Sequence, residues 1–192
     1  LVSMSSNQYG LSKYLNENAS SNNEWKGENF QKGDMNTTLI RTSKGKTIML
    51  QHDVTSPRPY SRLFTVSGTD GFIQKYPIKS MCFSPNSHRS LNSNDINDTI
   101  IKYQPSMIKN IKQKAKEIGG HGGMDYIMDY RLIYCLRNGL PLDMDVYDAA
   151  EWSSIIELSK ISVNNQSMPI KIPDFTRGAW NKINKVTYYN TK

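Results

Sequence analysis

Tyr60 stands in the run Ser56-Pro57-Arg58-Pro59-Tyr60-Ser61-Arg62, where two prolines stiffen the chain just past a β-rich stretch that ends near His52-Asp53. A phenol placed there can hydrogen-bond a ligand and offer it a ring face, or it can instead open the next strand and cap a core. Arg58 and Arg62 can orient a substrate, although a structural ion pair with Asp53 is the simpler role. His52, next to Asp53 at a strand end, could support a pocket from behind. His121 beside Gly122-Gly123 can be exposed and titrate near neutral pH, but the same glycines serve a helix entry, where histidine is a capping or interface group. Asp143, Asp145 and Asp148 resemble a metal cluster only superficially. Asp145 and Asp148 stand at i and i+3 of a helix start, so capping is favoured and no metal site is expected. Cys82 and Cys135 are too few and too far apart for a disulfide framework or a zinc site.

Those residues need elements to hold them. The stretches MNTTLIRT and KTIMLQHDV read as strands of a hairpin turning at Ser43-Lys44-Gly45, and SRLFTVSG and GFIQKYP as a second hairpin turning at Thr69-Asp70. Gly122-Gly123 lets the chain bend into a helix over 124–136 that stops at Asn138-Gly139, with Pro141 barring its continuation. Helices are also expected over 103–118 and 146–163, with Trp152 packing the latter against the sheet. The fold class is therefore α+β, an open and predominantly antiparallel sheet covered by helices on one face. One domain, 1–192, is expected. It would comprise a polar irregular lead-in (1–34) with a short helix at 11–15, a strand meander (35–76), a loop (77–100), helices (101–163) and an extended tail (164–192).

The chain has 24 basic and 17 acidic residues, giving +7, yet the basic residues are dispersed and the run 109–116 suits a solvated helix face, so no nucleic-acid partner is expected. No segment approaches the roughly 20 apolar residues of a membrane span, and LVSMSSNQYG lacks the features of a signal peptide. The chain begins with Leu, so an interior start is the simplest reading. Localisation stays open, and a bacterial-type exported enzyme, periplasmic or at the surface, is compatible with it.

A meander ending in VSGTDGF, a Gly-hinged helix and then GLPLDMDVYDAAEWSSIIELSKISV resemble, in that order, the C-terminal domain of the superfamily typified by glucose-fructose oxidoreductase and inositol dehydrogenase. Within it, KGDMNTTLIRTSKGKTIMLQHDVTSPRPYSR, HGGMDYIMDYRLIYCLRNGLPLDMDVYDAAEWSS and PDFTRGAW resemble glycoside hydrolase family 109, NAD-dependent α-N-acetylgalactosaminidases. The resemblance implies an upstream Rossmann domain holding NAD, and no G-x-G-x-x-G occurs in this chain. The family's Tyr-x-x-His motif would also lie before Leu1, leaving no catalytic residue here. NAD would take hydride from C3 of the sugar, a base would remove the C2 proton and expel the C1 substituent, water would add, and hydride would return. Tyr60 matches the family's substrate-contacting tyrosine, with His52, Arg58, Arg62 and His121 as supporting groups around the site. The implied partners are a glycoside with terminal α-N-acetylgalactosamine and further copies of the chain joined through the open sheet face. An NAD(P)-dependent sugar or polyol oxidoreductase, or a non-catalytic oligomerisation domain, are the competing readings.

Overall fold

The structure is a computed structural model that describes residues 1–85 and 88–182. In chain order its elements are β1 (Val2–Ser5), α1 (Gly10–Asn18), β2 (Met35–Arg41), β3 (Thr47–Asp53), β4 (Thr65–Ser67), β5 (Gly71–Gln74), β6 (Ser80–Phe83), α2 (Ser93–Tyr103), α3 (Ser106–Ile118), α4 (Met124–Arg137) and α5 (Val146–Asn164). A 3-10 turn, His121–Gly123, precedes α4. The described residues form two compact units, one from 1–58 with 144–182, the other from 59–143. The expected α+β class with open antiparallel pairing is present, but the strands expected over 35–76 as one meander divide between two three-stranded sheets, β1-β2-β3 and β4-β5-β6.

The first unit is a three-stranded antiparallel sheet in the order β1-β2-β3, with α5 lying on one face. The β2–β3 hairpin turns where expected, and Gly45 takes the positive φ of 76° that the turn requires. Strand β1 lies inside the stretch read as irregular. Its polarity is inverted relative to an ordinary amphipathic strand: Ser3 and its partner Thr38 face the helix and are buried, while Met4 and Leu39 face outward. A hydroxyl seam joins sheet to helix. Ser162 Oγ accepts the Ser3 amide at 2.9 Å and donates to the Met168 carbonyl at 2.8 Å. The Thr38 hydroxyl bonds that of Ser3 at 2.9 Å and that of Ser159 at 3.1 Å, so these buried polar groups satisfy one another. At the start of α5, Asp145 accepts the amides of Tyr147 and Asp148 while Asp148 accepts the Asp145 amide, a complete capping box. Trp152, expected against the sheet, is instead 58% exposed, and Ile156 is 75% exposed.

The second unit holds the antiparallel sheet β4-β5-β6 and helices α2 to α4. Strand β6 and helix α2 occupy half of the segment expected to be loop, and the helix expected over 103–118 begins only after Pro105. The ring of Pro105 pushes Gln104 to ψ 126°, outside the helical region, so α2 and α3 cannot fuse. Helix α2 is announced by Asn92, whose side chain accepts the amides of Asn94 and Asp95. Gly123 lies against α3 so closely that a Cβ there would come within 2.7 Å of the Ala115 carbonyl carbon. Helix α4 ends at Asn138-Gly139 as expected, but its buried face carries Arg131 and Cys135 while Met128, Leu132, Ile133 and Leu136 stay exposed. Arg131 is held by a two-pronged ion pair with Asp143, Nε to Oδ2 at 2.8 Å and Nη2 to Oδ1 at 3.0 Å.

Candidate functional site

In the first unit the proline-rich segment is entered through two carboxylates. Asp53, its side chain 1% exposed, accepts the amides of Thr55 at 3.2 Å and Ser56 at 3.0 Å through Oδ1, and its Oδ2 faces Arg58 Nη2 at 3.3 Å. Arg58 therefore takes the ion-pair role. The Ser56 amide, with the Thr55 amide and the Arg58 charge, holds the Asp53 carboxyl below its ordinary value of 3.8, outweighing the opposing effect of burial. A depressed carboxylate pKa contributes stability that is complete above the unfolded value and lost as pH falls through the folded one. Acidification from about pH 5 to about pH 2 should accordingly release the Thr55 and Ser56 amides to hydrogen exchange, after correction for the intrinsic rate. Flat protection over that range would show that the charge of Asp53 does not hold this segment.

Asp34 is the second carboxylate, and no motif in the sequence singles it out. It accepts the Tyr9 amide at 3.0 Å, the Gly10 amide at 2.9 Å and the Thr55 hydroxyl at 3.2 Å. Its position between Gly33 and the first residue of β2 is the signal that could have found it. His52 lies exposed on β3 beside Asp53 and joins neither cluster.

In the second unit Tyr60 precedes β4 by several residues and is 69% exposed, so it neither opens that strand nor caps a core. Its ring meets that of Tyr76 edge to face at 5.8 Å. Arg62 Nε donates to the Tyr60 phenol oxygen at 2.6 Å, which occupies that oxygen as acceptor and leaves its O–H to donate outward. Arg62 thus serves Tyr60 rather than Asp53. His121 sits at φ 47°, the non-glycine member of a run of positive φ values from Gly119 to Gly123. Its Nδ1 reaches Asp125 Oδ2 at 2.9 Å, clasping the first turn of α4 with the ring largely exposed. A cleft of about 500 Å³ on the small sheet is lined by Ser67, Asp70, Phe72, His88 and Arg89 among others, and none of the expected site residues lines it.

Asp143 belongs to Arg131 and Asp145 with Asp148 to the capping box, so the aspartates that could have suggested a metal have structural work. Among the described residues no group of three or more His, Cys, Asp or Glu could hold a metal ion, and no helix is long and apolar enough to cross a membrane.

The family model described as "Glycosyl hydrolase 109, C-terminal domain" matches residues 1–182. A protein of Bacteroides fragilis called "Alpha-N-acetylgalactosaminidase" is 51% identical over 182 residues, 95% of this chain and 43% of its own length. "Glycosyl hydrolase family 109 protein 1" of Bacteroides fragilis is 54% identical over 170 residues, covering 81% of this chain and 37% of its own. "Glycosyl hydrolase family 109 protein" of Porphyromonas gingivalis is 54% identical over 168 residues, 80% of this chain and 36% of its own. The chain thus spans about two-fifths of the length of these relatives.

Proposed function

This chain belongs to glycosyl hydrolase family 109, matching its C-terminal domain, and from that premise we propose that it supplies the substrate-side wall of an NAD-dependent α-N-acetylgalactosaminidase. The observation that carries the reading is Tyr60, an exposed phenol on a proline-stiffened segment whose oxygen is occupied by Arg62 Nε and whose ring leans on Tyr76. Such a phenol is set to donate to a sugar hydroxyl and to lay its remaining ring surface on the sugar, with little rotamer freedom left to lose. His121, clasped by Asp125, is a supporting group at the entry to α4.

None of the described residues forms the strand, glycine turn and helix that grip a dinucleotide. Gly119–Gly123 follows α3 rather than a strand, so it is not such a turn, and the larger part of the NAD site is assigned to the rest of the protein. When bound elsewhere in the protein, NAD supplies a hydride acceptor for the sugar, a route that needs no pair of carboxylates flanking the glycosidic bond. The outward face of the first sheet, with Met4, Leu39 and Met49 exposed, favours a second role as a contact between subunits.

The test uses the full-length protein. It should release the aglycone from an α-N-acetylgalactosaminide with no added NAD and no net change in nicotinamide absorbance. Steady accumulation of NADH on a free sugar would replace this reading with that of a sugar or polyol dehydrogenase.

A further inference from the structure

We propose that the cleft on the small sheet of the second unit binds an acidic sugar, with Arg89 taking its carboxylate or sulfate and the hydroxyls of the sheet taking its ring hydroxyls. The inference deepens the reading of this domain as a substrate-side wall, since it adds an acid-bearing part of a glycan to what the wall holds.

The floor of the cleft follows from strand register. Ser67 pairs with Phe72 and Phe72 with Cys82, so these three stand in one row across β4, β5 and β6 and face the same side. Ser80 and Ser84, two residues before and after Cys82, line the same cleft, while Met81 between them is 7% exposed on the opposite face. The cleft face is thus made of short polar side chains around one aromatic ring. Its wall is the chain that follows β6, which is tied back at both ends. The Ser84 amide donates to the Asp70 carbonyl at 3.0 Å, the Leu91 amide donates to the Met81 carbonyl at 2.8 Å, and Ser90 Oγ accepts the Met81 amide at 3.3 Å. His88 and Arg89 line the cleft from that wall, and Asp70 lines it from the β4–β5 turn.

A volume of about 500 Å³ exceeds what an inorganic ion fills and suits a small molecule. The hydroxyls of Ser67, Ser80 and Ser84 make no hydrogen bond to the described residues, so each keeps its donor and acceptor capacity for a polyhydroxyl ligand. Phe72 offers a ring against which the C–H face of a pyranose can lie. Arg89 forms no ion pair with a described carboxylate. Asp70, the one acid of the lining, stands beyond ion-pair distance of it and accepts the Thr69 hydroxyl at 3.2 Å. The planar fork of the guanidinium therefore remains for a carboxylate or sulfate, and the His88 imidazole adds a further hydrogen-bonding group. The cleft lies at the end of β5 that begins with Gly71, whereas Tyr76, which meets Tyr60, follows the other end. The acidic sugar is accordingly a separate unit of the glycan from the one at Tyr60.

The experiment measures binding to the full-length protein by titration calorimetry of galactose, galacturonate and galactose 6-sulfate, with inorganic sulfate as the bare anion. An acidic sugar should bind at least about tenfold more tightly than galactose, and inorganic sulfate more weakly than the sulfated sugar. A preference for only one of the two acids supports the inference and identifies the acid. Arg89→Ala should cancel the preference, Arg89→Lys should keep part of it, and Tyr60→Ala should leave it whole. Because Arg89 is exposed, its variants should keep the parental thermal midpoint. Equal binding of neutral and acidic sugars, an undiminished preference in Arg89→Ala, a preference lost in Tyr60→Ala, or inorganic sulfate bound as tightly as galactose 6-sulfate overturns the inference. Release of aglycone from a neutral aryl α-N-acetylgalactosaminide reads the proposed function separately, because that substrate carries no acid. Turnover without the acid preference overturns only the inference, and absence of turnover overturns the proposed function whatever the cleft binds.

Discussion

Tyr60→Phe is expected to lower kcat/KM for an α-N-acetylgalactosaminide about fivefold in the full-length enzyme, and Tyr60→Ala about thirtyfold. The first figure follows from the one donor that Phe lacks. Arg62 Nε already fills the phenol oxygen as acceptor, so the O–H is the group offered to the sugar, and its loss removes one hydrogen bond of roughly 1 kcal/mol. The second adds the ring, whose stacking contributes a further amount on the order of 1 kcal/mol and whose removal also frees Tyr76 from its edge-to-face partner. Because Tyr60 is exposed, the thermal midpoint and the nicotinamide content should stay at parental values in both variants. That separation of kinetics from stability is the decisive readout. Unaltered kinetics in Tyr60→Ala would remove Tyr60 from the site and with it the main support for the substrate-wall reading.

The largest effect on folding should come from Asp143→Ala, at about 3 kcal/mol in a denaturant titration. Arg131, with its side chain 3% exposed, lies on the inner face of α4 and directs two nitrogens at the Asp143 carboxylate in a fork-to-fork pair. Taking away the carboxylate leaves a guanidinium deep in the unit without that counter-charge, and the Tyr134 ring, 5.9 Å from its central carbon, offsets only part of the loss. Replacing both members, as in Arg131→Met with Asp143→Ala, should recover much of the stability, since the buried charge is then gone as well. A cost below about 1 kcal/mol for Asp143→Ala would show that the pair is not what seats the end of α4.

Elements with strong local punctuation were legible in the sequence, and those relying on inverted patterns were not. The β2–β3 hairpin, the stop of α4 at Asn138-Gly139 and the capping box at Asp145 each follow from a residue type that the backbone requires at that place. Strand β1 escaped because its buried position is Ser3, matched to Ser162 and Thr38, so a search for apolar alternation points the wrong way. The continuous helix expected over 103–118 ignored Pro105, although a proline at that place marks a boundary. Within the candidate site the Asp53–Arg58 pair could be anticipated from nearness in sequence. The attachment of Arg62 to Tyr60 and the Asp34 clamp could not, because they depend on loop geometry and on pairing between residues as much as 25 positions apart.

Apolar contacts between a helix and a sheet tolerate sliding, since one methyl group substitutes for another as the surfaces glide. The seam between α5 and the first sheet has no such freedom, because Ser162 and Ser159 each answer a particular partner, Ser3 or Thr38. A shift of one helical turn, about 5.4 Å, would part both attachments at once and strand dry donors on either side. Helix and strands must therefore travel as a single plate, and whatever opening or closing the whole protein performs has its pivot outside this seam.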